Sequence, residues 1–185
     1  MKSKNSKKFY CLKKKGGGII KKIIIGVMGG AQFINPEDEK YAYQIGAMIA
    51  QEGWILLNGG RASGIMEASA RGAKDYGGMT VGILPTDDSH WASQYIDIPI
   101  VTGMGIARNV INILSSDIIV ALPGKAGTIS EIALALNYGK EVILFRFDAG
   151  NWLKPYQEEG KVHFINEVAD LRSFLKEKLN SVYRS

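Results

Sequence analysis

The chain has 185 residues, one cysteine, two histidines and a formal net charge of +5. This length suits one domain with a full hydrophobic core and is short for two, while a single cysteine excludes an internal disulfide and argues against a thiolate metal site. No apolar run approaches the roughly 20 residues of a membrane span and no signal-peptide pattern is present, so we expect a cytoplasmic protein that binds no metal and contacts no membrane.

The net positive charge comes from the N-terminal segment, residues 1–22. This segment carries nine lysines and no acid, which leaves 14 basic and 18 acidic residues in the remainder, a net charge of −4. Such a lysine run is typical of a solvated tail, although it could also make nonspecific contacts with nucleic acid. We therefore expect a disordered basic arm over residues 1–22, a single Rossmann-like domain over residues 23–185, and no dedicated nucleic-acid site.

Short β-branched runs alternate with helical patterns along this domain. The predicted strands are residues 23–28, 54–57, 80–84, 96–101, 117–122 and 142–147. The predicted helices are one capped by Asn35 with Pro36 at its first position, and residues 63–76, 105–114, 128–138 and 166–183, with a loop between residues 150 and 166. This alternation predicts an α/β fold with a doubly wound, mostly parallel sheet and helices on both faces.

Glycines follow four of the predicted strands and precede helices. They are Gly29 and Gly30, Gly59 and Gly60, Gly103 and Gly105, and Gly124 and Gly127. Glycine allows positive φ and close approach of a ligand to the backbone. Because ligands of doubly wound sheets lie at the carboxyl ends of the strands, where the winding reverses, these turns are the candidate binding site.

The turn after the fifth predicted strand has the form of a phosphate cradle. Its residues are Pro123, Gly124, Lys125, Ala126, Gly127 and Thr128. The N-terminus of the following helix offers unpaired N–H groups, Thr128 adds a hydroxyl and Lys125 a countercharge. The alternative is an ordinary capping box, in which Thr128 and Glu131 satisfy each other's backbone donors.

A second turn, after the second predicted strand, also combines glycines with a cation. Its candidate binding residues are Gly59, Gly60, Arg61, Gly64 and Met66. The alternative is a polar connection in which Ser63 caps the next helix.

The segment from Gly103 to Arg108 imitates the start of a dinucleotide-binding fingerprint. Arg108 occupies the place of the third glycine, which exists for close packing of the helix on the strand, so a true dinucleotide site is disfavoured. Arg108 instead lies in the first turns of a helix, where its guanidinium can bind phosphate or carboxylate in two-point fashion. The alternative is a surface or interface ion pair.

Taken together, these motifs resemble a known family. They are Gly59-Gly60 with Gly64-Ile65-Met66, Gly77-Gly78 leading into residues 81–85, Arg108-Asn109, and residues 123–131. As a set they are similar to the LOG (lonely guy) superfamily, long mislabelled as lysine decarboxylases and related in fold to DprA. The run Ala107-Arg108-Asn109 is most similar to the branch that includes the molybdenum cofactor carrier protein.

The resemblance implies a function as well as a fold. LOG enzymes are phosphoribohydrolases that release the base and ribose 5-phosphate from a nucleoside 5′-monophosphate. By this likeness Arg108 and Glu131 are the catalytic residues, residues 124–128 hold the phosphate, and Gly29 and Gly30 with the Gly59 turn line the nucleoside side. The family also implies a homo-oligomer, a dimer or tetramer, and no required cofactor.

Two departures from the family pattern keep a second function open. Lys125 stands where the family has the second glycine of its PGG run, and Asn109 stands where a lysine usually follows the arginine. The alternative to a phosphoribohydrolase is therefore a noncatalytic carrier or sensor of a phosphorylated pterin such as molybdenum cofactor.

Overall fold

The computed structural model describes residues 22–184, with side chains described to residue 179. The predicted basic arm therefore lies outside the described residues, apart from Lys22. The strands are β1 Ile24–Met28, β2 Ile55–Asn58, β3 Met79–Leu84, β4 Ile98–Val101, β5 Ile118–Ala121, β6 Val142–Phe145 and β7 Val162–Ile165. The helices are α1 Asp38–Gln51, α2 Gly64–Asp75, α3 Asn109–Ser115, α4 Ala126–Asn137, α5 Lys154–Glu158 and α6 Val168–Arg184.

The strands form one sheet in the order β4-β3-β2-β1-β5-β6-β7. Every neighbouring pair is parallel. Chain order runs outward in one direction from β1 to β4 and in the other from β5 to β7, so the winding reverses between β1 and β5. This arrangement confirms the predicted doubly wound α/β fold and puts its crevice at the ends of β1 and β5.

Helices cover both faces of the sheet, and each face has its own apolar core. One core joins α1, α2 and α6 to side chains of β1, β2, β5 and β6, among them Ile45, Leu56 and Leu175. The other joins α3, α4 and the segment at the start of α5 to side chains of β1, β2, β3, β5, β6 and β7, among them Ile113, Ile119 and Ile132. Parallel strands that are buried on both faces have continuous apolar sequences, which is why these strands could be predicted from the sequence.

The structure corrects two predictions outside the crevice. The segment predicted as a loop after Gly150 contains α5 and β7, and β7 extends the sheet by pairing with β6. Asn35 does not cap α1, because the helix begins at Asp38 and the Asp38 carboxylate accepts hydrogen bonds from the N–H groups of Ile34 at 3.0 Å and Asn35 at 2.8 Å.

Within residues 22–184, no helix combines the length and the apolar character that crossing a membrane would require.

Glycine lets α1 and α2 meet backbone to backbone. A Cβ at Gly46 would lie 1.9 Å from the Ser69 carbonyl oxygen, and one at Gly72 would lie 2.0 Å from the Tyr43 carbonyl oxygen. The close contact fixes α2, and α2 begins in the turn that borders the crevice.

Replacing Gly46 with alanine tests this contact. Alanine inside a helix normally stabilises by about 1 kcal/mol relative to glycine, whereas a methyl group driven into backbone costs roughly 1–3 kcal/mol. We expect the clash to win, so Gly46→Ala lowers the free energy of unfolding measured by urea denaturation. Gln44→Ala, on the exposed side of α1, is the control and should leave stability unchanged or slightly raised. An increase for Gly46→Ala would contradict the close packing.

Candidate functional site

A cavity of about 650 Å³ opens at the carboxyl edge of the sheet, where the winding reverses. The ends of β1 and β5 meet there, since the Gly30 N–H donates to the Pro123 carbonyl oxygen at 3.1 Å. Three cationic side chains line the cavity, those of Arg61, Arg108 and Lys125, together with one acidic side chain, that of Glu131. This balance of charge favours an anionic ligand.

The turn after β5 leads directly into α4. Gly124 packs so closely that a Cβ there would lie 2.0 Å from the Thr128 hydroxyl oxygen and 2.9 Å from the Gly30 nitrogen. Lys125 is exposed at the N-cap of α4 and makes no side-chain capping bond. The first N–H groups of α4 therefore have no side-chain cap, which suits a phosphate or carboxylate of a ligand.

The alternative capping box is not formed. The helix begins at Ala126, so Thr128 lies inside its first turn rather than at the N-cap. The Glu131 side chain points to α3, where its Oε1 accepts a hydrogen bond from Asn112 Nδ2 at 2.8 Å. Both side chains are buried, and both line the cavity.

The turn between β2 and α2 forms the opposite wall. Gly60 and Gly64 take positive φ, 74° and 53°, which favours glycine at both positions. Ser63 stands at the N-cap of α2 but makes no capping bond, and its buried Oγ has no hydrogen-bond partner among the described residues. The alternative, in which Ser63 simply caps α2, is therefore not what the side chain does, and the hydroxyl is free to bind a ligand.

Arg108 and Glu131 form the centre of the cavity wall. Arg108 Nη1 lies 3.8 Å from Glu131 Oε1, and their side chains are only 11% and 8% exposed. The guanidinium lies against Gly59, where a Cβ would lie 2.5 Å from Nη2. Arg108 Nε and Nη1 are buried without a hydrogen-bond partner in the described part of the chain. Arg108 is thus held in place with donor capacity unused.

Burial dominates the ionisation of both groups. It raises the pKa of Glu131 from 4.5 to about 7, against the opposing effects of the Asn112 hydrogen bond and the Arg108 charge. Burial also lowers the pKa of Arg108, with Glu131 acting against it and Arg61 adding to it. A guanidinium nevertheless stays charged. The separation of 3.8 Å is too long for a strong hydrogen-bonded pair, so Glu131 compensates the charge of Arg108 only in part.

Two asparagines of α3 connect it to α4 beside the cavity. Asn112 bonds Glu131, and Asn109 Nδ2 donates to Ser130 Oγ at 3.1 Å, which in turn donates to the Gly127 carbonyl oxygen at 2.7 Å. Asn109, which stands where the family has a lysine, thus connects α3 to the first turn of α4 rather than adding a charge. No sequence motif singles out Asn112, although the helix predicted over residues 105–114 would place it on the same face as Arg108, four residues earlier.

The structure brings most of the predicted site residues together. The predicted residues that line the cavity are Gly29, Gly30, Gly59, Arg61, Met66, Arg108, Lys125, Gly127, Thr128 and Glu131. Gly60, Gly64, Gly124 and Ala126 do not line it; the three glycines instead shape the turns behind the wall, and Ala126 begins α4. Gly103 is likewise outside the lining, while Gly105 and Ile106 contribute to it.

The cavity contains a single carboxyl group and no metal-binding cluster among the described residues. No group of three or more histidine, cysteine, aspartate or glutamate side chains within residues 22–184 is placed to hold a metal ion. The chemistry of the cavity lies in its guanidinium, carboxyl, hydroxyl and backbone N–H groups.

The fold and the cavity define a Rossmann-like α/β protein with a candidate anion site at the reversal of its sheet. The chain belongs to the SLOG cluster 4 family, whose model matches residues 22–172. This membership confirms the resemblance to the LOG superfamily.

Solved structures similar to the chain point to one branch. The molybdenum cofactor binding protein of Rippkaea orientalis is 42% identical with a TM-score of 0.79, and the match covers 87% of this chain and 99% of that one. The molybdenum cofactor carrier protein of Chlamydomonas reinhardtii is 39% identical with a TM-score of 0.78, covering 86% and 99%. DNA processing protein A of Helicobacter pylori, at 18% identity and a TM-score of 0.64 over 84% of this chain and 81% of that one, shares the fold alone.

Relatives in sequence include an uncharacterized protein and a phosphoribohydrolase. An uncharacterized protein of Archaeoglobus fulgidus is 48% identical over 64% of this chain and 76% of its own length. A cytokinin riboside 5′-monophosphate phosphoribohydrolase of Mycobacterium marinum is 32% identical over 58% of this chain, and the match spans 59% of that enzyme's length.

Stability should depend on pH through Glu131. Its folded pKa of about 7 lies above the ordinary 4.5, so its contribution is fully present below about pH 4.5 and is lost as pH rises through about 7, by about 3 kcal/mol. Glutamine does not ionise, so Glu131→Gln should not share this loss. We expect its free energy of unfolding, relative to that of wild type, to rise by this amount between about pH 4 and about pH 8, an interval that includes both pKa values of Glu131. Urea denaturation across this range measures it, and parallel pH profiles for the two proteins would refute the raised pKa.

The turn after β5, residues 123–128, offers a matched pair of glycine substitutions. A Cβ at Gly127 has no neighbour within 4 Å, whereas one at Gly124 meets Thr128 and Gly30. We expect Gly124→Ala to lose roughly 1–3 kcal/mol of stability and to weaken sulfate binding, while Gly127→Ala keeps full stability. Thermal denaturation and calorimetric sulfate titration measure the two effects. Equal stability of the two variants would show that the turn tolerates a side chain at Gly124.

Proposed function

We propose that the cavity binds a phosphorylated small molecule, with its phosphate at the N-terminus of α4. The observation that carries this proposal is the convergence of three cations on a cavity whose central guanidinium has unused donors. The uncapped first turn of α4 supplies further donors, and Ser63 Oγ on the opposite wall supplies one more. Each of these groups loses its bond to water on burial and regains one from an anionic ligand.

The finer proposal is a noncatalytic carrier of a phosphorylated pterin such as molybdenum cofactor. Similarity to the Rippkaea and Chlamydomonas proteins extends over 99% of each of their chains, whereas the phosphoribohydrolase match spans 59% of that enzyme. The lining of the cavity also includes apolar residues, Met66, Pro85 and Ile106, against which a flat heterocycle can pack. Lys125, in place of the family's glycine, adds a cation beside the phosphate position.

Phosphoribohydrolase activity is the second candidate, and the Arg108–Glu131 pair favours it. Cleavage of the bond between the ribose C1′ and the base passes through an oxocarbenium-like transition state. Glu131 is the only carboxyl group among the lining residues, and a pKa of about 7 lets it stabilise this cation or take a proton from the attacking water at neutral pH. Arg108 would orient the phosphate or ribose.

One experiment separates the two candidates. The purified chain is analysed for bound pterin by fluorescence after oxidation, and is then incubated with AMP while adenine release is followed by chromatography. The carrier proposal predicts a retained pterin, and no adenine release that exceeds a Glu131→Gln control. Adenine release that depends on Glu131, without pterin binding, would replace the carrier with the hydrolase.

Arg108→Ala tests whether the cavity binds a ligand at all, whichever of the two functions is correct. Loss of this guanidinium should weaken binding of AMP or pterin by about 10-fold or more, since a hydrogen bond between charged groups contributes about 1.5–3 kcal/mol. Unchanged binding of both ligands would overturn the proposal that this cavity is the binding site.

Assembly into a dimer or tetramer also stays a proposal, and light scattering of the purified chain tests it.

A further inference from the structure

Asn112 lies behind the cavity wall, one helical turn beyond Arg108. It is fully buried, and its Nδ2 donates to Glu131 Oε1, the same oxygen that lies nearest to Arg108 Nη1. The carboxyl group is therefore held between an amide and a guanidinium that project from one segment of the chain. Neither motif nor comparison assigns Asn112 a role.

The other end of the amide has no such partner. Asn112 Oδ1 is buried and accepts no hydrogen bond from any described residue, and Nδ2 has only one further contact, with Met28 Sδ at 3.8 Å. Apart from the bond to Glu131 itself, only this weak contact with sulfur favours the present orientation of the amide. An amide rotated by half a turn would present an acceptor where the structure now has a donor.

We propose that Asn112 is a positioning residue that holds the Glu131 carboxyl beside Arg108 in both protonation states, donating to the carboxylate and, once rotated, accepting from the carboxylic acid. No other uncharged side chain of this size offers a donor and an acceptor from equivalent positions. A leucine would offer neither, and an aspartate would bring a second negative charge. The amide thus keeps the carboxyl in place while its charge changes.

The surrounding groups leave this task to Asn112. From the segment before α3, the charge of Arg108 favours the carboxylate form of Glu131, and Arg61 also lines the cavity. From β1, Met28 offers an apolar neighbour. Lys125 lies exposed at the start of α4. Among these groups only Asn112 makes a hydrogen bond to Glu131.

The test follows the Glu131 carboxyl itself. Protein labelled with carbon-13 at the glutamate carboxyl carbons is titrated by NMR, and the Glu131 signal is identified by its loss in Glu131→Gln. In wild type we expect a midpoint of about 7. In Asn112→Leu we expect the midpoint to rise by up to about one pH unit, because the bond to the ionised carboxylate is stronger than the bond to the acid, so losing both penalises the ionised form more.

A matched control separates this effect from damage to the helix. Ile113→Val removes a methyl group from the neighbouring, fully buried position of α3 without touching Glu131. It should lower stability yet keep the wild-type midpoint. Asn112→Ala serves as a second variant should Asn112→Leu fail to fold, and it should shift the midpoint in the same direction. A wild-type midpoint in the folded Asn112 variants would overturn the proposal.

The rotation has its own readout. Amide proton signals of the Asn112 side chain should show a hydrogen bond to Glu131 above the midpoint, and should change their exchange protection below it as Oδ1 becomes the bonded atom. Identical side-chain signals at pH 5 and pH 9 would overturn the second half of the proposal.

Any effect of Asn112 on catalysis rests on the proposed hydrolysis, whereas the carboxyl titration does not. If adenine release from AMP occurs, Asn112→Leu should displace its pH profile by the same amount as the NMR midpoint. If no release occurs, the titration still decides the inference. Failure of the proposed function and failure of this inference are therefore distinguishable.

Discussion

The site depends on one constraint: the ends of β1 and β5 approach each other so closely that no side chain fits between them. The end of β1 and the turn after β5 touch through the hydrogen bond from Gly30 to Pro123, and the space for Gly124 is closed by Thr128 and Gly30. The first turn of α4 therefore lies close to the end of β1 at the cavity. An anion placed there meets backbone N–H groups, and the cationic side chains of Arg61, Arg108 and Lys125 line the same cavity, which suits a phosphate.

Burial decides the electrostatics of the cavity. A guanidinium and a carboxyl group taken out of water together at 3.8 Å attract each other too weakly to offset the loss of hydration of both. The result is a raised pKa for Glu131 and a cation, Arg108, with donors to spare. Arg108 therefore has donors that a ligand can use. Leaving them unpaired destabilises the folded protein, and burial of the two apolar cores offsets this loss.

Much of this molecule could be predicted from sequence because the relevant signals are local. Buried parallel strands give continuous apolar runs, and the close approaches and positive φ of the crevice require glycine. β7 was missed because it is four residues long and follows a five-residue helix, so neither element has a clear periodicity. The capping box, the alternative for Thr128 and Glu131, does not form, since α4 starts two residues before Thr128. The bond between Asn112 and Glu131 joins two helices, and no local pattern reports such a contact.

The position of Arg108 has an evolutionary consequence. Its guanidinium occupies the volume that a Cβ at Gly59 would need, with 2.5 Å between them. A descendant that retains the arginine in this rotamer should therefore retain glycine after β2. Loss of the arginine alone does not lift the restriction, because Met66 Sδ would lie 2.7 Å from the same Cβ, so a larger residue at position 59 requires both side chains to change.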